Sequence, residues 1–148
     1  MSSQARRAVV TALCELAAGP NYRDRADAGR ALASFTDVPE ATEPSLDLVL
    51  DADDTPVTYA TVEALLRRHD AAGLAVVAAA LNAADQSQID WIGDAVIDVF
   101  GVSSRDRDTA LRQCRELADS PHERVRCGVE NLSDMLAEIE PVLRPYAD

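Results

Sequence analysis

The sequence predicts an all-α protein, a short right-handed α-solenoid of antiparallel helix pairs with roughly seven or eight helices. Three observations lead there. Residues 71–84, AAGLAVVAAALNAA, carry no charge in a chain whose charged residues make up 27% of the total. A helix that is apolar all round is wrapped by its neighbours, and this one falls short of the roughly 20 residues a bilayer requires. Next, a pattern of small and branched side chains starts at positions 24, 57, 89 and 124, at intervals of 33, 32 and 35 residues. Finally, the one segment that alternates like a strand, LDLVL at 46–50, has no partner strand, so it is assigned to a helix.

In chain order, Glu15 interrupts the apolar run that follows Arg6 and Arg7, while Ala5, Ala8, Val9, Ala12, Leu13 and Leu16 recur at helical spacing. This is an amphipathic first helix over 3–18 rather than a secretory leader, and the expected location is cytoplasmic. Gly19-Pro20 stops it, and Asn21 caps a helix over 22–35 with Ala28, Ala31, Leu32 and Phe35 on one face. A loop at 37–43 leads to a short helix over 45–51 and an acidic turn, Asp51-Ala52-Asp53-Asp54. Thr55-Pro56 opens a helix to 68, with proline in the tolerated first turn, and His69-Asp70 forms the corner before the uncharged helix. Capping residues at 85–87 introduce a helix over 88–100 that ends at Gly101, and Ser103 or Ser104 caps another to 118. Ser120-Pro121 starts the last helix, which runs to 139, and Pro141 and Pro145 hold an extended tail, free or packed on that helix. The expected organisation is one domain over 1–148: a capping helix at 1–19, repeats at 21–139 and the tail at 140–148.

The repeat is carried by Ala28, Ala31 and Leu32, then Ala64 and Leu65, then Gly93, Val96 and Ile97, then Gly128, Asn131 and Leu132. Together with Asp53-Asp54-Thr55-Pro56-Val57 and Ser120-Pro121 leading to Val125-Arg126, it resembles the HEAT-repeat family. Thr58 and Asp90 stand where that family commonly has arginine, and the period is shorter than usual. The resemblance implies a binding scaffold whose second helices, at 45–51, 71–84 and 104–118, line a concave face.

Charge narrows the partner. Lys+Arg is 14 and Asp+Glu is 26, a formal charge of −12, which repels phosphate backbones and anionic membranes. The expected partner is therefore a protein with a basic or amphipathic surface, not nucleic acid or a membrane. Every basic residue is arginine, the absence of lysine excludes a Schiff base, and the Ala- and Arg-rich composition is that of a GC-rich bacterial genome. Cys14, Cys114 and Cys127 form no metal-spaced pair and are read as small buried hydrophobes. No nucleophile elbow, phosphate loop or histidine pair is present, so no catalytic residue, cofactor or metal is expected.

Two features invite a functional reading. The acidic turn looks like the DxDD general-acid motif of terpene cyclases, but those need an aromatic-lined cavity and this chain has six aromatics in all. A cation site built from Asp47, Asp51, Asp53 and Asp54 lacks the glycine and distal glutamate of a calcium loop. The turn is therefore expected to be a connector in which Asp54 or Thr55 caps the next helix. Trp91, the only tryptophan, points away from the Ile89, Ile92, Val96 and Phe100 face, beside Asp90, Asp94 and Asp98. Its equivalent one repeat earlier is Tyr59, which predicts packing between neighbouring repeats. The possible partner-binding residues are Asp47, Asp51, Trp91, Asp94, Asp98, Arg105 and Arg112. The alternative function is an accessory or lyase-like protein acting on a small molecule in a pocket between repeats.

Overall fold

The computed structural model describes residues 1–145. Those residues form α1 (Ser3–Ala17), α2 (Tyr22–Leu32), α3 (Thr42–Val49), α4 (Thr55–Leu66), α5 (Ala71–Leu81), α6 (Gln86–Phe100), α7 (Ser104–Leu117) and α8 (Glu123–Ala137). No strand is present among the described residues, and segment 46–50 lies in α3 and its C-cap, as expected. No described helix is long and apolar enough to cross a membrane.

Local chemistry sets most helix starts. Ser2, Asn21, Asp70 and Ser103 each place a side-chain oxygen on a first-turn amide of the helix that follows. Asp85 and Gln88 form a reciprocal capping box, which starts α6 two residues earlier than the periodicity alone indicates. Several expected ends move inward. The second helix tightens into a 3-10 turn over Ala33–Phe35, α5 stops at Leu81, and α8 begins at Glu123, not at Ser120-Pro121. His69 closes α4 in the left-handed region at φ 54, with its ring edge-on to Phe100.

Helix contacts run in two consecutive series. Along one, α2 packs on α4 and α4 on α6; along the other, α3 packs on α5 and α5 on α7. The last helix departs from the series: α8 lies chiefly across α5, with α7 beside it. The reason is Gly128, because a Cβ at that position would overlap the backbone carbonyl of Ala78. Only glycine permits that approach, and Val125, Val129, Leu132 and Leu136 bury the rest of the helix face.

The core has two parts. The larger one surrounds α5, where Leu74, Val77, Ala78 and Leu81 meet Ile92, Val96 and Phe100 of α6, Cys114 of α7 and the apolar face of α8. The smaller joins Val10, Ala28, Leu32, Phe35, Leu48 and Val57 near the N-terminus. Cys114 is buried as expected, but Cys14 is half-buried and Cys127 is exposed. The exposure of Cys127 follows from its place beside Gly128, one position off the buried stripe of α8.

The C-terminal segment is also placed differently from expectation. Residues through Pro145 lie along the α6–α7 connection rather than on α8, because the Val142 and Leu143 amides donate to the Gly101 and Val102 carbonyls. Ser104 returns a bond to Leu143, and Arg107 donates to the Ile139 carbonyl at 2.7 Å. The last three residues of the expected tail lie outside the described residues.

Two buried side-chain polar atoms lack a partner among the described residues, Arg6 Nε and the Thr58 hydroxyl. Thr58 is 1% exposed and its hydroxyl makes no hydrogen bond. Thr58→Val keeps the shape and removes that group, so it is expected to stabilise the fold by about 1 kcal/mol. A raised urea midpoint checks this, and a lowered one would mean that the hydroxyl is satisfied.

Candidate interaction surface

The seven candidate residues fall in three places. Asp47 and Asp51 border an open hollow of about 630 Å³ between the ends of α1 and α3. There Asp51 is not available to a partner. Its side chain is 10% exposed and holds Arg25, whose Nε donates to Asp51 Oδ2 at 2.9 Å while Nη2 donates to Asp54 Oδ2 at 2.5 Å. The other Asp51 oxygen accepts the Asp53 and Asp54 amides, which folds the acidic turn. Burial works against the Asp51 charge, but the Arg25 guanidinium and the turn amides outweigh it and hold the carboxyl below the usual carboxylate range. Asp54 sits at the N-cap of α4 but makes no side-chain cap, because its carboxylate is spent on Arg25. The turn is thus a connector clamped by an arginine far away in sequence. No group of three or more His, Cys, Asp or Glu residues suited to a metal occurs among the described residues.

Arg105 and Arg112 border a second open hollow, of about 410 Å³, at the start of α7, with Ser104, Asp108 and Arg144. Arg112 donates to the Thr109 hydroxyl at 3.0 Å. This patch is separate from the acidic ones, so the arginines and aspartates do not form one surface.

Trp91, Asp94 and Asp98 come together on α6, facing Tyr59 of α4. The Trp91 and Tyr59 rings meet edge to face, with centroids 6.4 Å apart and planes at 81°. That contact is the packing between equivalent positions that the repeat predicts. Trp91 nevertheless remains 39% exposed, and Ile97, which lines the same hollow, is 56% exposed. At about 100° per residue, Asp90, Asp94, Asp98, Trp91 and Ile97 share roughly a third of the helix circumference. Tyr59, Trp91, Asp94, Ile97 and Asp98 line an open hollow of about 350 Å³.

The Tyr59 hydroxyl fixes the back of this hollow. It lies 2.5 Å from Asp98 Oδ2 and 3.1 Å from Glu63 Oε2, so one donor stands before two carboxylates. The bond to Asp98, then burial, then the bond to Glu63 push the phenol far above its ordinary value, so it stays protonated. Glu63 also accepts from Arg67 at 3.4 Å. Sequence reasoning missed Glu63 and Ile97; the signal was helical spacing, from Tyr59 in one case and from Asp90 and Asp94 in the other.

The uncharged helix, which the sequence leaves between a core helix and a concave docking face, is a core helix. Gly73, Leu74 and residues 77–81 are buried, and α8 packs more extensively on α5 than any other helix does. Asn82, Ala72 and Ala83 are its exposed positions. Compared with known proteins, the chain matches no family model, no curated protein and no solved structure.

Proposed function

We propose that the protein is a non-catalytic protein–protein interaction module, a short acidic HEAT-like helical-repeat scaffold that docks a partner with a basic or amphipathic surface. The observation that carries this is the exposed Trp91–Ile97 ledge on the aspartate face of α6. Partly exposed tryptophan is the side chain most often found at the energetic centre of an interface. The ledge also works against the free protein. Asp90, Asp94 and Asp98 repeat at i, i+4, where like charges destabilise a helix by about 0.2–0.5 kcal/mol per pair. A basic partner removes that repulsion and covers the apolar ledge at once. An immunity- or antitoxin-like role, with the acidic chain neutralising a basic protein, is one specific form of this function.

The repeat assignment is supported by the consecutive contacts α2–α4–α6 and α3–α5–α7. Docking is assigned to the α4–α6 side, because α8 fills the position over α5 that a partner would take on the expected concave face. Affinity purification from the native host, wild type against Trp91→Ala, tests the proposal. The expected result is one stoichiometric protein partner, depleted about tenfold or more by the substitution. A retained small molecule without a protein partner would instead favour the accessory or lyase-like alternative.

A further inference from the structure

We propose that the hollow between α4 and α6 seats one cationic side chain of the partner, an arginine or a lysine. Its charged head would meet Asp94 and Asp98, and its stem would cross Trp91 and Ile97. This rests on the interaction role proposed above and names the chemistry of its central contact.

The first argument is charge that the fold leaves unanswered. Elsewhere several acids are answered by arginine: Asp37 by Arg6, Asp51 and Asp54 by Arg25, Asp70 by Arg68, Asp108 by Arg107 and Glu43 by Arg124. On the α6 stripe, Asp90 takes only the Gln86 amide and Asp98 only the Tyr59 hydroxyl. Asp94 makes no hydrogen bond or ion pair within the described residues. No arginine among the described residues lines this hollow, and Arg67 is directed to Glu63. A cation entering this hollow therefore displaces no internal pair.

The second argument is the aromatic wall. Tryptophan attracts cations more strongly than the other aromatics do, and the T-shaped contact with Tyr59 holds this ring in place. Tyr59 is itself fixed, because its hydroxyl is bonded to Asp98. The hollow thus combines a held ring, an apolar residue and two carboxylates. That set matches an amphipathic cation with a hydrocarbon stem better than a bare ion or a neutral apolar group. Its volume of about 350 Å³ accommodates one side chain and is at the small end for a drug-sized ligand.

The single tryptophan makes the test direct, since the indole N–H signal in a 15N NMR spectrum reports on this hollow alone. The probe is an N-acetylated, C-amidated pentapeptide with one arginine between two leucines, compared with its glutamine analogue in low salt. The arginine peptide is expected to half-saturate the indole shift at a concentration about tenfold lower than the glutamine peptide. Asp94→Asn, a substitution at an exposed residue with no internal partner, is expected to reduce that preference to near twofold, as is about 0.5 M salt. Equal binding of the two peptides, or a preference that survives Asp94→Asn, would overturn the cationic seat. Concentration-dependent burial of the indole without peptide would assign the hollow to a second copy of the chain and overturn it too. If partner capture still depends on Trp91 while the peptides bind alike, the interaction role stands and only the cationic seat fails. If capture is indifferent to Trp91, the docking face itself fails.

Discussion

Gly128→Ala is expected to destabilise the protein by about 3 kcal/mol, lowering the melting temperature by roughly 10 °C. The added methyl would overlap the Ala78 carbonyl, which is backbone and cannot rotate aside. Helices α5 and α8 would have to separate, opening the larger core along Leu74, Val77, Leu132 and Leu136. Helix propensity alone predicts the opposite sign, since alanine is favoured over glycine in a helix interior by about 1 kcal/mol. Gly93→Ala supplies the control, because a Cβ there meets nothing within 4 Å. It is expected to gain about 0.5–1 kcal/mol. Thermal unfolding of both variants separates packing from propensity. A Gly128→Ala protein as stable as the wild type would mean that α8 does not lie on α5 as described.

Arg25→Met is the second large effect, an expected loss of about 3 kcal/mol at neutral pH. Methionine keeps much of the apolar stem, so the change falls mainly on the charge. Asp51, with its side chain 10% exposed, would keep the Asp53 and Asp54 amides but lose its only ion-pair partner. The pH dependence gives an independent check. In the wild type the Asp51 carboxyl is held below its ordinary value of 3.8. Its contribution to stability is therefore present above that value and is lost as pH falls through the lower, folded one. In the variant the deficit should be greatest near neutral pH and shrink below about pH 4, where protonation removes the stranded charge. Urea denaturation at both pH values measures this. A deficit that does not change with pH would point to lost packing rather than lost charge.

Much of the fold was legible because local signals are strong. Gly19-Pro20, Asn21, Asp70 and Gly101 mark helix boundaries through backbone chemistry that does not depend on the rest of the chain. The placement of α8 was not legible. Gly93 and Gly128 occupy equivalent positions of the repeat pattern, yet one faces open space and the other a carbonyl. A pattern of small residues says that a close approach is possible, not which helix makes it. Pairing across sequence was equally hidden: Arg25 lies 26 and 29 residues from the two aspartates it clamps. Hence Asp51 reads as a surface acid in the sequence and is a structural one in the fold.

The candidate surface was legible where it stayed within one helix. Trp91, Asp94 and Asp98 share a face by spacing alone, and the repeat placed Tyr59 opposite. By contrast, the expected concave face at 71–84 depended on a partner-accessible second layer. Charge-free α5 signalled burial on all sides, but not that α8 is the helix that covers it. The uncharged helix is a core helix, and the proposed docking face lies on α4 and α6 instead.

Photo-crosslinking in native-host extracts tests that assignment most directly, with a benzophenone amino acid placed at Ile97 in one variant and at the exposed Asp134 of α8 in another. The expected result is a single protein adduct from position 97, none from position 134, and attachment on the partner beside an arginine or lysine. Equal crosslinking at both positions, or an adduct from 134 alone, would contradict docking on the α4–α6 face.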